Sequence, residues 1–338
     1  MRSLCLTLTE RCNLACTYCH ARRSPRRMSP EGVDAAVDAW VAAARAEPAL
    51  TLSFYGGEPC LEPALLHRAM ARARAVAAPG QRLRCWTATN GLAVPTALLD
   101  LGLELAVSID GVVGADERRT ADGRSARDDL LAALPALLPH ARLARVTVTP
   151  ANVVRLCRNL QDLARLGFRR IVVQPAWELV WGDDAVAAWT REQERLATWV
   201  AGARASGSPV PELPHLAAVE RRLRHGAPRF ACGAGESHAA VATDGGLYPC
   251  YRFVFGAEYR LGEAGLGITD REAQRAIAVP VDALRPEEGG CAACPAADGC
   301  VHYCPALGHL LGGEPSAVPA VVCALHRATV MAVRRALC

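Results

Sequence analysis

Lysine is absent: all 38 basic residues of the 338 are arginine. Without lysine there is no Schiff base to pyridoxal phosphate and no Walker A phosphate loop. Long apolar runs are missing too, since none approaches the roughly 18 residues of a membrane span. The opening MRSLCLTLTERC lacks the apolar stretch of a secretory signal, so a cytoplasmic protein is expected. Blocks of one charge are also lacking. With 38 basic and 34 acidic residues the net charge is +4, and neither nucleic acid nor membrane is expected as a partner. The composition, 51% hydrophobic and 21% charged, suits a folded chain of one large or two ordinary domains.

What is plentiful is cysteine, with 15 residues. Disulfides are not expected in a reducing compartment, so grouped cysteines point to metal or redox chemistry.

Over the first half, apolar β-type runs recur at 4–9, 50–55, 83–89, 103–109, 144–149 and 169–175. Between them lie stretches of helical period such as 30–47 and 153–167. Six strands alternating with helices predict a parallel sheet with crossover helices, whose active site lies on loops at the strands' carboxyl ends. A Trp-containing helical stretch over 184–204 and a Pro-rich joint over 206–215 follow. From Phe230 the texture turns Gly- and Cys-rich and ends in a short helix near 323–337. The expected division is a core at 1–205, a linker at 206–230 and a second domain at 231–338.

The first cysteine group, Cys12, Cys16 and Cys19, directly follows the first strand in TERCNLACTYCHA. Three thiolates at this spacing suit three irons of a [4Fe–4S] cluster, leaving one iron open. From spacing alone, a structural role or a zinc site completed by His20 stays open. The second strand ends in Gly56-Gly57-Glu58-Pro59, the third in Thr89-Asn90-Gly91, and the fourth in Ser108-Ile109-Asp110-Gly111. Glycines let backbone approach a ligand, and the adjacent carboxylate can pair with an ammonium.

CNLACTYC, with Tyr18 before its last cysteine, resembles the CxxxCxxC motif of radical S-adenosylmethionine (SAM) enzymes, and the other three strings resemble that family's loops around SAM. The resemblance implies a partial (β/α)6 TIM-like barrel, an α/β fold, in which the open iron chelates SAM. Reductive cleavage would then yield a 5′-deoxyadenosyl radical, oriented by the protein against one substrate C–H bond. It further implies that Glu58 holds the SAM ammonium and that Tyr18, Gly56, Gly57, Asn90, Ser108 and Asp110 shape the pocket. For the SAM carboxylate, Arg119 fits best within ADERRTADGRSARDD, against Arg118, Arg124 and Arg127; Ala115 stands where the family's His is expected.

The second group comprises Cys232, Cys250, Cys291, Cys294, Cys300, Cys304 and Cys323. Paired cysteines of this kind are a metal signal, with a zinc ribbon as the alternative. The whole pattern resembles the SPASM domain of radical SAM peptide-modifying enzymes, which implies two auxiliary [4Fe–4S] clusters and three in all. By that resemblance Cys291, Cys294, Cys300 and Cys323 would ligate the outer one, and Cys232, Cys250 and Cys304 the inner one. His238 is a fourth-ligand candidate for the latter, with an open iron as the alternative. The Val301-His302-Tyr303 insert lacks the Gly-Gly often seen between those cysteines. Cys5, Cys85 and Cys157 fit core patterns, whereas Cys60, beside the GGEP loop, is a candidate hydrogen-atom donor in the pocket.

GGLYPCYRFV and GGEPCLEP resemble maturases of ribosomally made peptides. Sulfatase maturases usually carry an Asp just after the second SPASM cysteine as a base. Tyr251 stands there, which counts against that activity and makes Tyr251 a catalytic candidate. The expected reaction is an oxidative cross-link, thioether or carbon–carbon, on a precursor peptide. Epimerisation, small-molecule dehydrogenation and sulfatase-maturase-like activity are the alternatives. A non-catalytic zinc or iron–sulfur scaffold would leave the GGEP and TNG loops without a purpose. Because the first strand starts almost at Met1, no fused leader-binding domain is expected. Either a separate leader-binding protein presents the peptide or the barrel binds it, with Tyr251, Trp177 and Trp181 as lining candidates. A flavodoxin or ferredoxin would supply electrons.

Overall fold

The computed structural model describes residues 1–141, 143–226, 232–280, 283–287, 290–300 and 304–338. All six expected strands form: β1 (Ser3–Thr9), β2 (Ala49–Gly56), β3 (Arg82–Thr89), β4 (Leu103–Ser108), β5 (Leu143–Val148) and β6 (Arg170–Pro175). They alternate with α1 (Pro30–Ala43), α2 (Pro63–Val76), α3 (Thr96–Asp100), α4 (Arg127–Leu137) and α5 (Leu156–Leu166), and α6 (Asp183–Ala205) closes the series. Local chemistry sets the boundaries. Ser29 caps α1 by accepting a hydrogen bond from Gly32 N at 3.0 Å, with Pro30 at the first helical position. Gly167, at φ 113°, ends α5.

The chain forms two compact units. The first holds Met1–Val107, Arg119–Arg124 and Gly233–Ala278; the second holds Ser108–Arg118, Ser125–Cys232 and Val279–Cys338. In the first, β1 lies between β2 and β7 (His238–Val241), parallel to both. Both of its faces are buried: Leu4, Leu6 and Leu8 on one side are no more than 2% exposed, and Thr7 and Thr9 on the other no more than 1%. Burial on both sides is the ordinary state of a central parallel strand. Next to β7 comes β8 (Gly246–Tyr248), antiparallel to it. Cysteine-rich sequence thus supplies strands to the sheet that the repeating half begins, because β7 completes the open edge of β1.

In the second unit β5 and β6 pair in parallel. α7 (Ala320–Ala336), the helix expected near 323–337, packs on α6, where Trp189 Nε1 donates to Leu325 O at 3.0 Å. Trp177 and Trp181 are 3% and 9% exposed. Trp181 meets the Trp189 ring edge-on at 5.9 Å, and Trp177 lies 6.0 Å from the His326 ring, so both indoles serve core packing. Residues 227–231, at the expected linker–domain junction, and the Val301-His302-Tyr303 insert lie outside the described residues. Among the described residues no helix is long and apolar enough to cross a membrane.

Candidate functional site

In the first unit, the loops that follow β1, β2 and β3 are locked together by backbone and by one carboxylate. Gly57 N donates to Thr9 O at 2.9 Å, and Glu58 N to Arg11 O at 2.8 Å. A Cβ on Gly56, whose φ is +129°, would meet Thr9 O at 2.1 Å; one on Gly57 would meet Arg11 O at 2.1 Å and Cys12 N at 3.1 Å. The close approach these glycines permit in the structure is therefore to the backbone of the cysteine loop itself.

Glu58 is 1% exposed. Its Oε1 accepts from Thr89 Oγ1 at 2.8 Å and Cys60 N at 3.1 Å, and its Oε2 accepts from Asn90 N at 2.7 Å. The Cys60 thiol also bonds this carboxylate. Burial pushes the Glu58 carboxyl above its ordinary value, against the pull of these donors. Every donor named is neutral, and among the described residues no cation pairs with this buried carboxylate. An ammonium group of a ligand is what such a site lacks.

Asn90 extends the lock, its Nδ2 donating to Asn13 Oδ1 at 2.7 Å and lying 4.0 Å from Cys12 Sγ. Cys12 Sγ accepts from Leu14 N at 3.4 Å. Burial pushes the Cys12 thiol up to about 11; the Leu14 bond opposes this, and the Glu58, Cys16 and Cys19 charges add to it. The three cysteines therefore lie within electrostatic reach of one another. Cys12 and Cys16 are half-buried and Cys19 is exposed. Among the described residues no three His, Cys, Asp or Glu side chains converge tightly enough for a single metal ion. A cubane spreads its thiolates over separate irons and asks for a wider triangle. With an exposed third cysteine and a buried carboxylate beside the first, these residues fit a cluster that carries an amino-acid ligand.

Sequence reading missed Glu10 and Asn13. Glu10 is 6% exposed; its carboxylate accepts from Ser24 Oγ at 2.7 Å and from Thr243 Oγ1 at 2.9 Å. It ties the loop beyond Cys19 to the end of β7. The only signal was its place between the strand and the first cysteine.

Arg119 touches the cysteine loop through its backbone, its carbonyl accepting from Ala15 N. The guanidinium instead donates to Gly123 O at 2.7 Å. Tyr251 lies against Tyr55, the residue before Gly56, with ring centroids 4.3 Å apart, and 6.1 Å from the ring of His20. Cys60 is 2% exposed, and burial raises its thiol far above the ordinary range. His238 pairs with Ser3 in the β7–β1 register, half-buried, and burial lowers its imidazole value.

In the second unit Ser108 is half-buried at the end of β4. Asp110 is 4% exposed, and its Oδ1 accepts from Arg118 and from Thr147 N, both at 2.9 Å. This carboxylate braces β5 and the 118 turn. Asp110→Asn is expected to destabilise the protein by about 2 kcal/mol, by leaving a charged hydrogen bond unmade. A urea melt checks it; an unchanged midpoint would remove the brace.

Cys291, Cys294, Cys300 and Cys323 are half-buried in this unit. Burial pushes the Cys323 thiol up to about 11; the Cys300 and Cys291 charges raise it further, Arg327 lowers it, and Cys294 adds a smaller rise. These four thiols thus share one neighbourhood. Cys250 belongs to the first unit and Cys232 and Cys304 to the second. Cys5, Cys85 and Cys157 are buried, as their patterns predict.

Residues 6–173 match the model of the Radical SAM superfamily. Residues 6–173 are thus a radical SAM domain, the domain of a superfamily of enzymes. A solved structure described as native anSMEcpe with bound AdoMet (SAM) matches the fold with a TM-score of 0.81, at 16% identity, over 98% of this chain and 97% of that one. The same protein with AdoMet and the Cp18Cys peptide gives 0.82, at 16% identity, over 98% and 96%. SuiB of Streptococcus suis, bound to precursor peptide SuiA, gives 0.64 at 15% identity, over 95% and 75%. At these identities the likeness is one of fold: a radical SAM domain followed by a cysteine-rich part that resembles a SPASM domain. No curated protein matches the sequence significantly.

Proposed function

We propose that the protein is a peptide maturase that binds SAM on a [4Fe–4S] cluster and installs an oxidative cross-link, thioether or carbon–carbon, in a precursor peptide. The observation that carries SAM binding is the Glu58 carboxylate, buried among neutral donors at the hub of three strand-end loops. Cys12, Cys16 and Cys19 would hold the cluster, and Glu58 the SAM ammonium. Tyr18, Gly56, Gly57, Asn90 and Ser108 would shape the pocket. Arg119 is the residue proposed for the SAM carboxylate and would leave Gly123 O to reach it; Asp110 would act by holding the β4 end in place. When bound, SAM and the cluster supply hydrogen-atom abstraction from the substrate.

The peptide class is supported by two structural neighbours, one with the Cp18Cys peptide and one with precursor peptide SuiA. Tyr251 argues against sulfatase-type maturation, because a phenol stacked on Tyr55 replaces the carboxylate base. Cys60 would be a hydrogen-atom donor only if its thiol left Glu58. Cys291, Cys294, Cys300 and Cys323 would hold an outer auxiliary cluster. By the SPASM resemblance Cys232, Cys250 and Cys304 would hold an inner one, with either His238 or an open iron at its fourth position. An auxiliary cluster is an acceptor for the second electron of a cross-link. A flavodoxin or ferredoxin in the cytoplasm would supply the first electron, and a separate leader-binding protein would present the peptide where the barrel does not bind it directly.

The test is anaerobic coexpression with a peptide encoded beside this gene. A mass lower by two hydrogens, abolished in Cys16→Ala, is the expected result. An unchanged mass that gains one deuterium in heavy water would mean epimerisation. SAM cleavage with no peptide modified would send the search to small molecules. About twelve irons per chain should accompany three cubanes, whereas a zinc scaffold would hold almost none.

A further inference from the structure

In the second unit a cleft of about 780 Å³ lies between α5 and α6. Its rim carries Val154, Arg158 and Gln161 on one side and Arg191, Arg195 and Trp199 on the other. Arg191, Arg195 and Trp199 are spaced by four residues, so they share one face of α6. The floor is buried Glu192, 3% exposed, whose carboxylate accepts from Cys157 N at 2.8 Å and from Arg195 at 2.7 Å.

The acids near this cleft are already engaged. Asp162 is shared by Arg158 at 3.1 Å and Arg165 at 2.5 Å, Glu192 is held as above, and Glu194 pairs with Arg335. Arg191 is exposed and has no ion pair or hydrogen bond among the described residues. Arg158, Arg165, Arg191, Arg195 and Arg335 thus outnumber Asp162, Glu192 and Glu194, which leaves this face net positive, with apolar ends at Val154, 55% exposed, and half-buried Trp199.

The cleft also has a direction. Val154 lies in the short turn after β5, and α6 begins just after β6. One mouth therefore opens at the carboxyl end of this strand pair, the end where an α/β architecture puts its chemistry. From Arg191 to Trp199 the helix rises about 12 Å, the span of about four residues of extended peptide.

We propose that this cleft seats a short acidic segment of the peptide substrate, with apolar residues at its ends, while a distant residue is modified. The site rests on the peptide-maturase reading above and names where that substrate is gripped. Carboxylates of the segment meet Arg191 and Arg158, a flanking aromatic or aliphatic side chain lies on Trp199, and the other end leaves past Val154 toward the strand ends.

The probe is the precursor peptide encoded beside the gene, made with a fluorescein label, titrated against iron-loaded protein. Arg158→Glu with Arg191→Glu should weaken its binding about 30-fold, raising KM far more than it lowers kcat, while the melting curve and iron content match the wild type's. A peptide whose acidic residues are replaced by lysine should bind this variant better than it binds the wild type. Equal affinity of the original peptide for both proteins would overturn the proposal. So would unchanged peptide affinity with slower cluster reduction by flavodoxin but not by dithionite, which would make the cleft a redox-partner surface. A wild-type enzyme that cleaves SAM but binds no peptide would bring down the maturase reading, and this one with it.

Discussion

Gly57→Ala should yield protein with about four irons per chain fewer than the wild type, and no detectable SAM cleavage. The added methyl group would stand 2.1 Å from Arg11 O and 3.1 Å from Cys12 N. Both atoms are backbone, so nothing can rotate away; the loop that carries Cys12 must move. Overpacking of this kind costs about 1–3 kcal/mol, too little to unfold most domains, but a shift of one ligand is enough to lose a cluster. Iron analysis with electron paramagnetic resonance of the reduced protein checks it. A full complement of iron and normal turnover would show that the glycine serves another purpose.

Glu58→Gln carries the second large effect. The amide keeps the size of the side chain but turns one acceptor into a donor. That donor would face Asn90 N, or else Thr89 Oγ1 and Cys60 N, which now donate to the carboxylate. Leaving buried donors unmatched costs about 1–3 kcal/mol, and the ligand loses a charge-assisted partner of similar worth. SAM cleavage should fall by at least about 100-fold, while the iron content matches the wild type's. SAM titrations on reconstituted protein separate the two losses, and wild-type SAM affinity would show that Glu58 does not hold the ammonium.

The same burial sets a pH dependence for the protein without SAM. Burial raises the Glu58 carboxyl, despite the hydrogen bonds from Asn90, Cys60 and Thr89. A raised folded value means that the stability contributed by the protonated form is full below the ordinary carboxyl value of about 4.3. It is lost as pH rises through the folded value. Over that window the melting temperature of the wild type should therefore fall with pH relative to that of Glu58→Gln.

The six strand–helix repeats were legible because β-branched and aliphatic runs alternate with helical periods, and each run became the strand expected of it. The cysteine groups were legible as well, since thiolate spacing along a loop is a local property. The roles of the neighbouring residues were less so. Gly56 and Gly57 look like ligand-facing glycines in the chain, but their tight contacts are with Thr9 O and Arg11 O. Asp110 reads as a pocket residue, whereas its carboxylate braces Arg118 and Thr147. Trp177 and Trp181, read as lining, are core. In each case the partner is distant in sequence or lies on another strand, and no local pattern encodes it.

Fold class, the two cysteine groups and the superfamily motifs at the ends of successive strands could all be read from the chain, because periodicity and ligand spacing are written within short windows. It took the folded protein to show that β7 completes the edge of β1, that Glu58 is a buried carboxylate ringed by neutral donors, and that α5 and α6 leave a cationic cleft between them. Those features depend on which surfaces burial brings together, and burial is a property of the folded chain.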